Sequence, residues 1–261
     1  MKRFKIFLWI SIFLLPVVLS GQRLPKIHQQ NHAFQAGETI QFLIHYGPIN
    51  GGTATLILGE EYLFGRKVYH AVATAKTTGI TDKIFRVHDV YESFFDMSNG
   101  LPLKSVRNIH EGNYKRYNEA LFNHESNTVT SMKSGVHKVP ANILDMVSSL
   151  YYLRRLNFNE MKYGTVIDLV TFFSDEIFPF QIRYRGTETI NTQLGTFNCL
   201  KFVPVVEKGR IFKHDDDMTI WLSNDSNMIP IQVKFDMWVG SFKCDLVNYS
   251  NLKRPLRNLK K

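Results

Sequence analysis

Arg154 is the residue in this sequence whose position suggests chemistry, because its charge falls among apolar side chains. A guanidinium in such a place could bind an anion. Arg154 lies on the apolar side of a helix-like segment, because residues 142–156 carry apolar side chains at helical spacing. These side chains are Ile143, Leu144, Met146, Val147, Leu150, Tyr151 and Leu153. A guanidinium stays charged in proteins, so its burial requires a carboxylate, backbone carbonyls or an anionic ligand.

Three interpretations of Arg154 follow from this chemistry. Its side chain forms an ion pair with a strand, or caps the last helical turn and reaches solvent, or holds the anionic group of a ligand. The structural ion pair is favoured, since such pairs commonly explain a buried arginine. The candidate acids are those in otherwise apolar strands: Asp89, Glu92, Asp217 and Asp225.

Trp221 is the second candidate for ligand contact, because its indole needs one hydrogen bond and much apolar cover. Two cysteines, Cys199 and Cys244, share the pattern Gly-[Thr/Ser]-Phe-x-Cys at the start of predicted strands. In an oxidising compartment a pair of cysteines favours a disulfide. Two separate buried thiols are the alternative, since free cysteine is a good core residue.

Motifs for metal binding and catalysis are missing. Residues 214–217, His-Asp-Asp-Asp, gather carboxylates but lack the glycine and distal glutamate of a calcium loop, so a solvated turn is predicted. No histidine pair has zinc spacing, and there is no nucleophile elbow, phosphate loop or dinucleotide fingerprint. We therefore expect no metal and no cofactor, and the missing motifs favour a non-enzymatic protein while leaving enzymatic activity open.

The two ends of the chain indicate export. Residues 1–21 combine three basic residues, an apolar run and the small pair Ser20-Gly21, which predicts a cleaved signal peptide. Residues 22–36 are predicted to form a loose leader, and 251–261 a solvated basic tail. The net charge of +9 falls to +6 without the signal and to about +1 without the five basic residues of the tail. This distribution does not favour a nucleic-acid partner, and no transmembrane span is expected after signal removal.

Residues 37–250 are predicted to form a single, mainly β domain. About a dozen segments carry β-branched and aromatic residues with a period of two, separated by short turns. We therefore predict an antiparallel curved sheet or half-open barrel with one amphipathic helix, at about 142–157, packed against it. Two β lobes bridged by the helix are the alternative.

Several segments, taken in order, are similar to a bacterial family of exported proteins, number 3108 among the domains of unknown function. The segments are residues 37–46, 51–54, 145–154, 195–204, 220–225 and 229–230. The resemblance covers nearly all of the chain after the signal and implies a periplasmic or cell-surface β protein. It also suggests an analogy to the half-open barrels of lipoprotein carriers, which concerns architecture alone.

These features favour a non-enzymatic envelope protein that binds an apolar or amphipathic ligand, such as a lipid, or an envelope protein. Two other functions stay open. An exported hydrolase acting on envelope polymers would need acids or a histidine to converge in a cleft, and the candidates are Asp89, Glu92, His214 and Asp217. A structural or assembly component would present an edge strand or apolar patch.

Overall fold

The computed structural model describes residues 31–158, 161–205, 218–236 and 240–259. The predicted signal peptide at 1–21 and the acidic cluster at 214–217, which includes Asp217, lie outside the described residues.

Fourteen strands of the described ranges form one antiparallel sheet. The first eight are β1 Thr39–Tyr46, β2 Ile49–Leu63, β3 Arg66–Thr77, β4 His88–Asp96, β5 Pro102–Glu111, β6 Tyr114–Asn123, β7 Thr128–Ser131 and β8 Gly135–Lys138. The other six are β9 Val166–Phe173, β10 Glu176–Thr192, β11 Gly195–Val205, β12 Met218–Ser223, β13 Pro230–Asp236 and β14 Ser241–Ser250. Two helices complete the fold, α1 Gly79–Ile84 and α2 Met146–Leu153.

The sheet joins two runs of consecutive hairpins. Its strand order is β8-β7-β6-β5-β4-β3-β2-β1-β14-β13-β12-β11-β10-β9, so the first strand pairs with the last and the edges are β8 and β9. Since no ladder links those edges, the sheet is open rather than a closed barrel. The predicted fold class, a curved antiparallel sheet with one packed helix, is confirmed.

Helix α2 is shorter than the predicted 142–157. Asp145 ends the extended chain as N-cap: its carboxylate accepts from the Val147 and Ser148 N–H groups, and its own N–H donates to Ser148 Oγ. The residue before it pairs with a strand instead, because Leu144 N–H donates to Val170 O at 3.0 Å. Apolar spacing predicted the segment, but the capping group decides where the helix begins.

The helix is buried on two sides. Val147 and Tyr151 pack into a core with Phe34, Phe95 and other residues of the sheet. Tyr152, Leu153 and Leu156 pack into a second core with strands β9 to β12. The helix thus fills the curve of the sheet, and within the described residues no helix is long and apolar enough to cross a membrane.

Side chains tie the two ends of the sheet together. Asp175, in the turn between β9 and β10, accepts hydrogen bonds from Arg116 at 2.6 Å and Asn118 at 2.7 Å, both on β6. It also accepts from Ser131 of β7 at 2.6 Å. The curved sheet is therefore bridged near its edges by side chains, not by a backbone ladder.

Both chain ends differ from the loose segments that were predicted. Phe34 of the leader is fully buried in the core. In the tail, Arg254 N–H donates to Asn227 Oδ1 at 3.1 Å, and Leu259 N–H donates to Thr196 O at 2.7 Å. Composition predicted solvation, but these backbone groups find partners in the folded domain. Residues 22–30 and 260–261 lie outside the described residues.

Candidate functional site

Arg154 reaches from the C-cap of α2 into a buried ion pair. Its Nη1 donates to Glu38 Oε1 at 2.6 Å and its Nη2 to Glu38 Oε2 at 2.8 Å, a bidentate arrangement. Its Nε donates to Asn227 O at 2.9 Å, and Nη2 also donates to Ala33 O at 3.2 Å. Both charged side chains are 0% exposed. The arginine therefore joins the helix, the N-terminal segment and the β12–β13 connection.

The pair is stabilised electrostatically despite its burial. Burial disfavours the guanidinium charge, but attraction to and hydrogen bonding with Glu38 outweigh it, and the pKa of Arg154 is raised. The guanidinium also lies 5.2 Å from the ring centroid of Phe34 and 5.3 Å from that of Tyr151. With four N–H groups engaged and its side chain fully buried, Arg154 serves as a structural link.

Among the described residues, the ion-pair partner of Arg154 is Glu38 and not Asp89, Glu92 or Asp225, which were proposed from the sequence. Asp89 accepts the His110 N–H at 3.0 Å, and Glu92 pairs with His70 at 2.7 Å. Asp225 organises the β12–β13 connection through the Asn227 N–H. Asp217 lies outside the described residues. The choice of acids was wrong because it considered only strands, whereas Glu38 lies one residue before β1.

A sequence signal for Glu38 did exist. Glu38 and Ile40 are two residues apart in an extended segment, and alternation places both side chains on one face. Both are fully buried. Extending the alternation of β1 backwards by one step would have marked Glu38 as an inward-facing acid.

Trp221, the second predicted contact, forms the floor of an open groove. It is buried, and its Nε1 donates to Glu188 Oε2 at 3.1 Å. Lys201 Nζ lies 5.6 Å from the Trp221 ring centroid and 3.0 Å from Glu188 Oε2. The pKa of Glu188 is lowered, first by the hydrogen bond from Lys201, so this carboxylate stays ionised and fixes both neighbours.

We name this feature the Trp221 groove and define it by its lining. It has a volume of about 650 Å³ and is lined by Tyr163, Arg185, Glu188, Ile190, Lys201, Val203, Thr219, Trp221, Gln232, Lys234, Asp236 and Lys243. Lys201 and Lys234 have carboxylate partners, Glu188 and Asp236. Among the described residues, no carboxylate lies within 4.0 Å of Arg185 or Lys243. The groove therefore presents two cations without acidic partners.

The cavity at the N-terminal end of α2 is small. Its volume is about 50 Å³, and it is bordered by Tyr91, Arg107, Asp145 and Phe173 among others. Ligand pockets commonly have volumes of about 300–1,000 Å³, so this cavity has room for a few water molecules only. A larger, open pocket of about 420 Å³ lies at the other end of the helix, beside Arg154 and Arg155.

Asp145 borders that cavity with a shifted pKa. Burial raises the pKa of Asp145 to about 6, against the hydrogen bonds from Ser93 Oγ at 2.5 Å and from two helix N–H groups. Its contacts are those of a helix cap, and no histidine contacts it.

The predicted disulfide is absent from the structure. Cys199 and Cys244 are both free thiols. They lie on β11 and β14, which are separated in the sheet by β12 and β13. Strands are spaced about 4.8 Å apart, so three steps exceed the roughly 7 Å limit for Cα atoms of a disulfide. Burial, the largest cause, raises the pKa of each thiol to about 12.

The described residues contain no group of His, Cys, Asp and Glu side chains that could hold a metal ion. The acids and histidines proposed for a hydrolase do not converge there either. Asp89 and Glu92 are three residues apart on one strand and bind different partners, while His214 and Asp217 lie outside the described ranges.

Fold and site together define the class: a barrel-like antiparallel β protein whose open sheet is filled by a helix locked through a buried ion pair. The family described as "Protein of unknown function (DUF3108)" matches residues 41–247. The chain belongs to this family, as the sequence resemblance predicted. No curated protein matches the chain.

Two solved structures are similar to this one. The first is a beta-barrel-like protein of the domain of unknown function DUF1849 from Brucella abortus, with a TM-score of 0.55 and 10% identity. The match covers 84% of this chain and 99% of that one, and it establishes likeness of fold. The second, a DUF1089 family protein from Pseudomonas aeruginosa, has a TM-score of 0.39 and 11% identity, with coverages of 68% and 87%.

Proposed function

We propose that the protein is an exported, non-enzymatic binding protein of the cell envelope, periplasmic or at the cell surface, that holds an anionic amphiphile in the Trp221 groove. The observation that carries this proposal is the pair of cations in a groove of ligand size, Arg185 and Lys243, which have no carboxylate partner in the described part of the chain. The cavity beside the N-terminus of α2, at about 50 Å³, is too small for such a ligand.

The chemistry of the lining defines the ligand class. Arg185 lies over the ring of Tyr163, 5.8 Å from its centroid, and that ring is largely exposed. A cation beside an exposed aromatic ring suits a ligand with an anionic group next to an apolar portion. Trp221 contributes a rigid floor, because Glu188 fixes its indole from one side and Lys201 lies over the ring.

Export is proposed from the basic and apolar N-terminal segment. Cell fractionation of the full-length protein, with N-terminal sequencing of the product, tests this part. We expect a chain beginning near Gln22 in the envelope or periplasmic fraction. An intact N-terminus in the cytoplasm would contradict it.

Ligand binding is tested with dodecyl phosphate as the probe. In the chain that begins at Gln22, Trp238→Phe leaves Trp221 as the sole tryptophan, because the sequence has three and Trp9 is removed. We expect a saturable change in Trp221 fluorescence. Arg185→Gln with Lys243→Gln should weaken binding at least about tenfold, since each charge-assisted hydrogen bond contributes roughly 1.5–3 kcal/mol.

The matched control removes two positive charges elsewhere. Arg66→Gln with Lys138→Gln changes the net charge equally, at exposed positions away from the groove. This control should bind as the unsubstituted chain does. Equal weakening in both double variants would mean that binding reflects net charge alone, and no fluorescence change with any chain would reject the groove as the site.

A further inference from the structure

One end of the sheet carries exposed apolar residues on several neighbouring turns. In an antiparallel sheet alternate connections lie at the same end, and here these are 47–48, 78–87, 112–113, 132–134 and 174–175. We call this set the hairpin rim. The connections on the opposite end include 64–65 and 97–101.

Helix α1 is the most apolar part of the hairpin rim and buries no residue. Ile80 is 63% exposed and Ile84 is 79% exposed, and Phe85 follows them in the same segment. Thr78 N–H donates to Gly51 O at 3.1 Å, which holds α1 against the start of β2, where Ile49 is also exposed. Exposed apolar side chains gathered in this way mark an interaction surface.

Positive charge surrounds these apolar residues. Five lysines at this end have no carboxylate within 4.0 Å among the described residues. Four of them are exposed, Lys76, Lys83, Lys115 and Lys133, and the fifth, Lys243, is half-buried. Two exposed acids there, Glu111 and Glu176, likewise form no ion pair within the described ranges. Asp82 and Asp175 are already paired, with Arg86 and Arg116. Among the described residues of the hairpin rim, the excess of charge is therefore positive.

We propose that the hairpin rim docks on a lipid bilayer that contains anionic lipids. Exposed isoleucines on a short helix, with lysines beside them, match the pattern of shallow insertion at an anionic interface. The occupant is a bilayer and not a protein groove, because the exposed apolar residues extend beyond α1 to Ile49, Tyr114 and Met132 beside three other turns of the rim. A flat lipid surface meets all of these turns at once, whereas a groove would enclose a single helix. The inference does not depend on the proposed ligand.

The Trp221 groove extends to the hairpin-rim side of the sheet. Val203, Thr219 and Lys243 lie near the strand ends on that side, whereas Glu188 and Ile190 lie nearer the opposite end of β10.

Vesicle co-sedimentation tests the proposal with the chain that begins at Gln22. Vesicles of phosphatidylglycerol mixed with phosphatidylcholine should bind the protein, and pure phosphatidylcholine should bind it at least about tenfold more weakly. Raising the ionic strength from about 0.1 M to about 1 M shortens the Debye length from about 10 Å to about 3 Å and should release it. Ile80→Ser with Ile84→Ser should lower partitioning at least about tenfold.

A matched variant uses exposed aromatic residues at the opposite end. Tyr62→Ser with Phe64→Ser removes similar apolar surface from the β2–β3 turn and should leave partitioning unchanged. Equal partitioning of the α1 variant and the unsubstituted chain would overturn the proposal. A concentration-dependent dimer that Ile80→Ser and Ile84→Ser abolish, without vesicle binding, would overturn it in favour of a second copy of the chain. Loss of dodecyl phosphate binding alone would leave this inference intact.

Discussion

At the scale of single residues, Arg154 shows how burial turns a charge into a structural constraint. The helix segment is short and its apolar residues face two cores, so the arginine at its end cannot reach solvent. Glu38 supplies the opposite charge, and the carbonyls of Ala33 and Asn227 accept two of the remaining N–H groups. The pair connects elements far apart in the chain.

Removing one partner should be far more harmful than removing both. Arg154→Met leaves the Glu38 carboxylate buried and unpaired, so we expect a loss of about 3–5 kcal/mol in the free energy of unfolding. Glu38→Leu combined with Arg154→Met removes both charges and should be more stable than Arg154→Met alone. In the double variant two buried carbonyls still lack a donor, and each unsatisfied group costs about 1–3 kcal/mol. The double variant therefore does not regain the full stability of the unsubstituted chain. Urea denaturation of the three chains measures these differences.

An exposed ion pair provides the comparison. Arg66 pairs with Asp96 and its side chain is 51% exposed. Arg66→Met should therefore lower the free energy of unfolding by less than about 1 kcal/mol. If Arg154→Met had an equally small effect, the buried pair would contribute no more than a surface pair, and its structural role would be refuted.

At the scale of elements, the N-cap of α2 links helix geometry to pH. The pKa of Asp145 is about 6 in the folded protein because of burial, against an ordinary value of 3.8. A raised pKa of a carboxyl group favours the protonated folded state. Its contribution is therefore fully present below pH 3.8 and is lost as the pH rises through about 6.

Asp145→Asn should flatten this part of the stability profile. Asparagine caps helices about as well as aspartate, so the hydrogen bonds to the Val147 and Ser148 N–H groups are kept. Between about pH 5 and about pH 8, stability relative to the variant should fall by about 1.4 kcal/mol in the unsubstituted chain, because one unit of pKa corresponds to about 1.4 kcal/mol and the folded-state pKa is about 6. Urea midpoints of both chains are measured across that range. Subtracting one profile from the other removes the titration of all groups that the two chains share. If the stability profiles of the two chains ran parallel with pH, ionisation of Asp145 would not destabilise the folded protein, and the prediction would be wrong.

At the scale of the whole molecule, the open sheet depends on side chains that bridge its ends. Asp175 joins the β9–β10 turn to β6 and β7 and is itself held with φ at 69°, a conformation that asparagine tolerates well. Burial opposes its charge, but hydrogen bonds from Ser131 and its neighbours outweigh this, and the pKa of Asp175 is lowered. The ionised Asp175 therefore stabilises the fold at pH values above the ordinary pKa of an aspartate, and this stabilisation is lost as the pH falls through the lowered pKa.

Asp175→Asn should loosen both sheet edges without changing the turn. The amide places N–H groups opposite Arg116, so the charge-assisted hydrogen bond is lost. We expect faster amide hydrogen exchange in β7, β8 and β9, with β1 and β14 unaffected. Asp236→Asn, which interrupts the more exposed pair with Lys234, is the control and should leave the edges protected. Uniform exchange changes throughout the sheet would mean that Asp175 acts on global stability instead.

The sequence by itself determined the elements and the need for a counter-charge at Arg154, because alternation, helical spacing and desolvation act locally. It predicted the curved sheet, the helix and the family. Only the tertiary structure decided which acid meets Arg154 and that Cys199 and Cys244 stay apart. It also placed Phe34 in the core and bonded Arg254 and Leu259 of the tail to the domain. These outcomes depend on strand order and register, which set distances between residues remote in sequence. In the same way the Trp221 groove exists only because strands β10 to β14 bring their charged side chains onto one face.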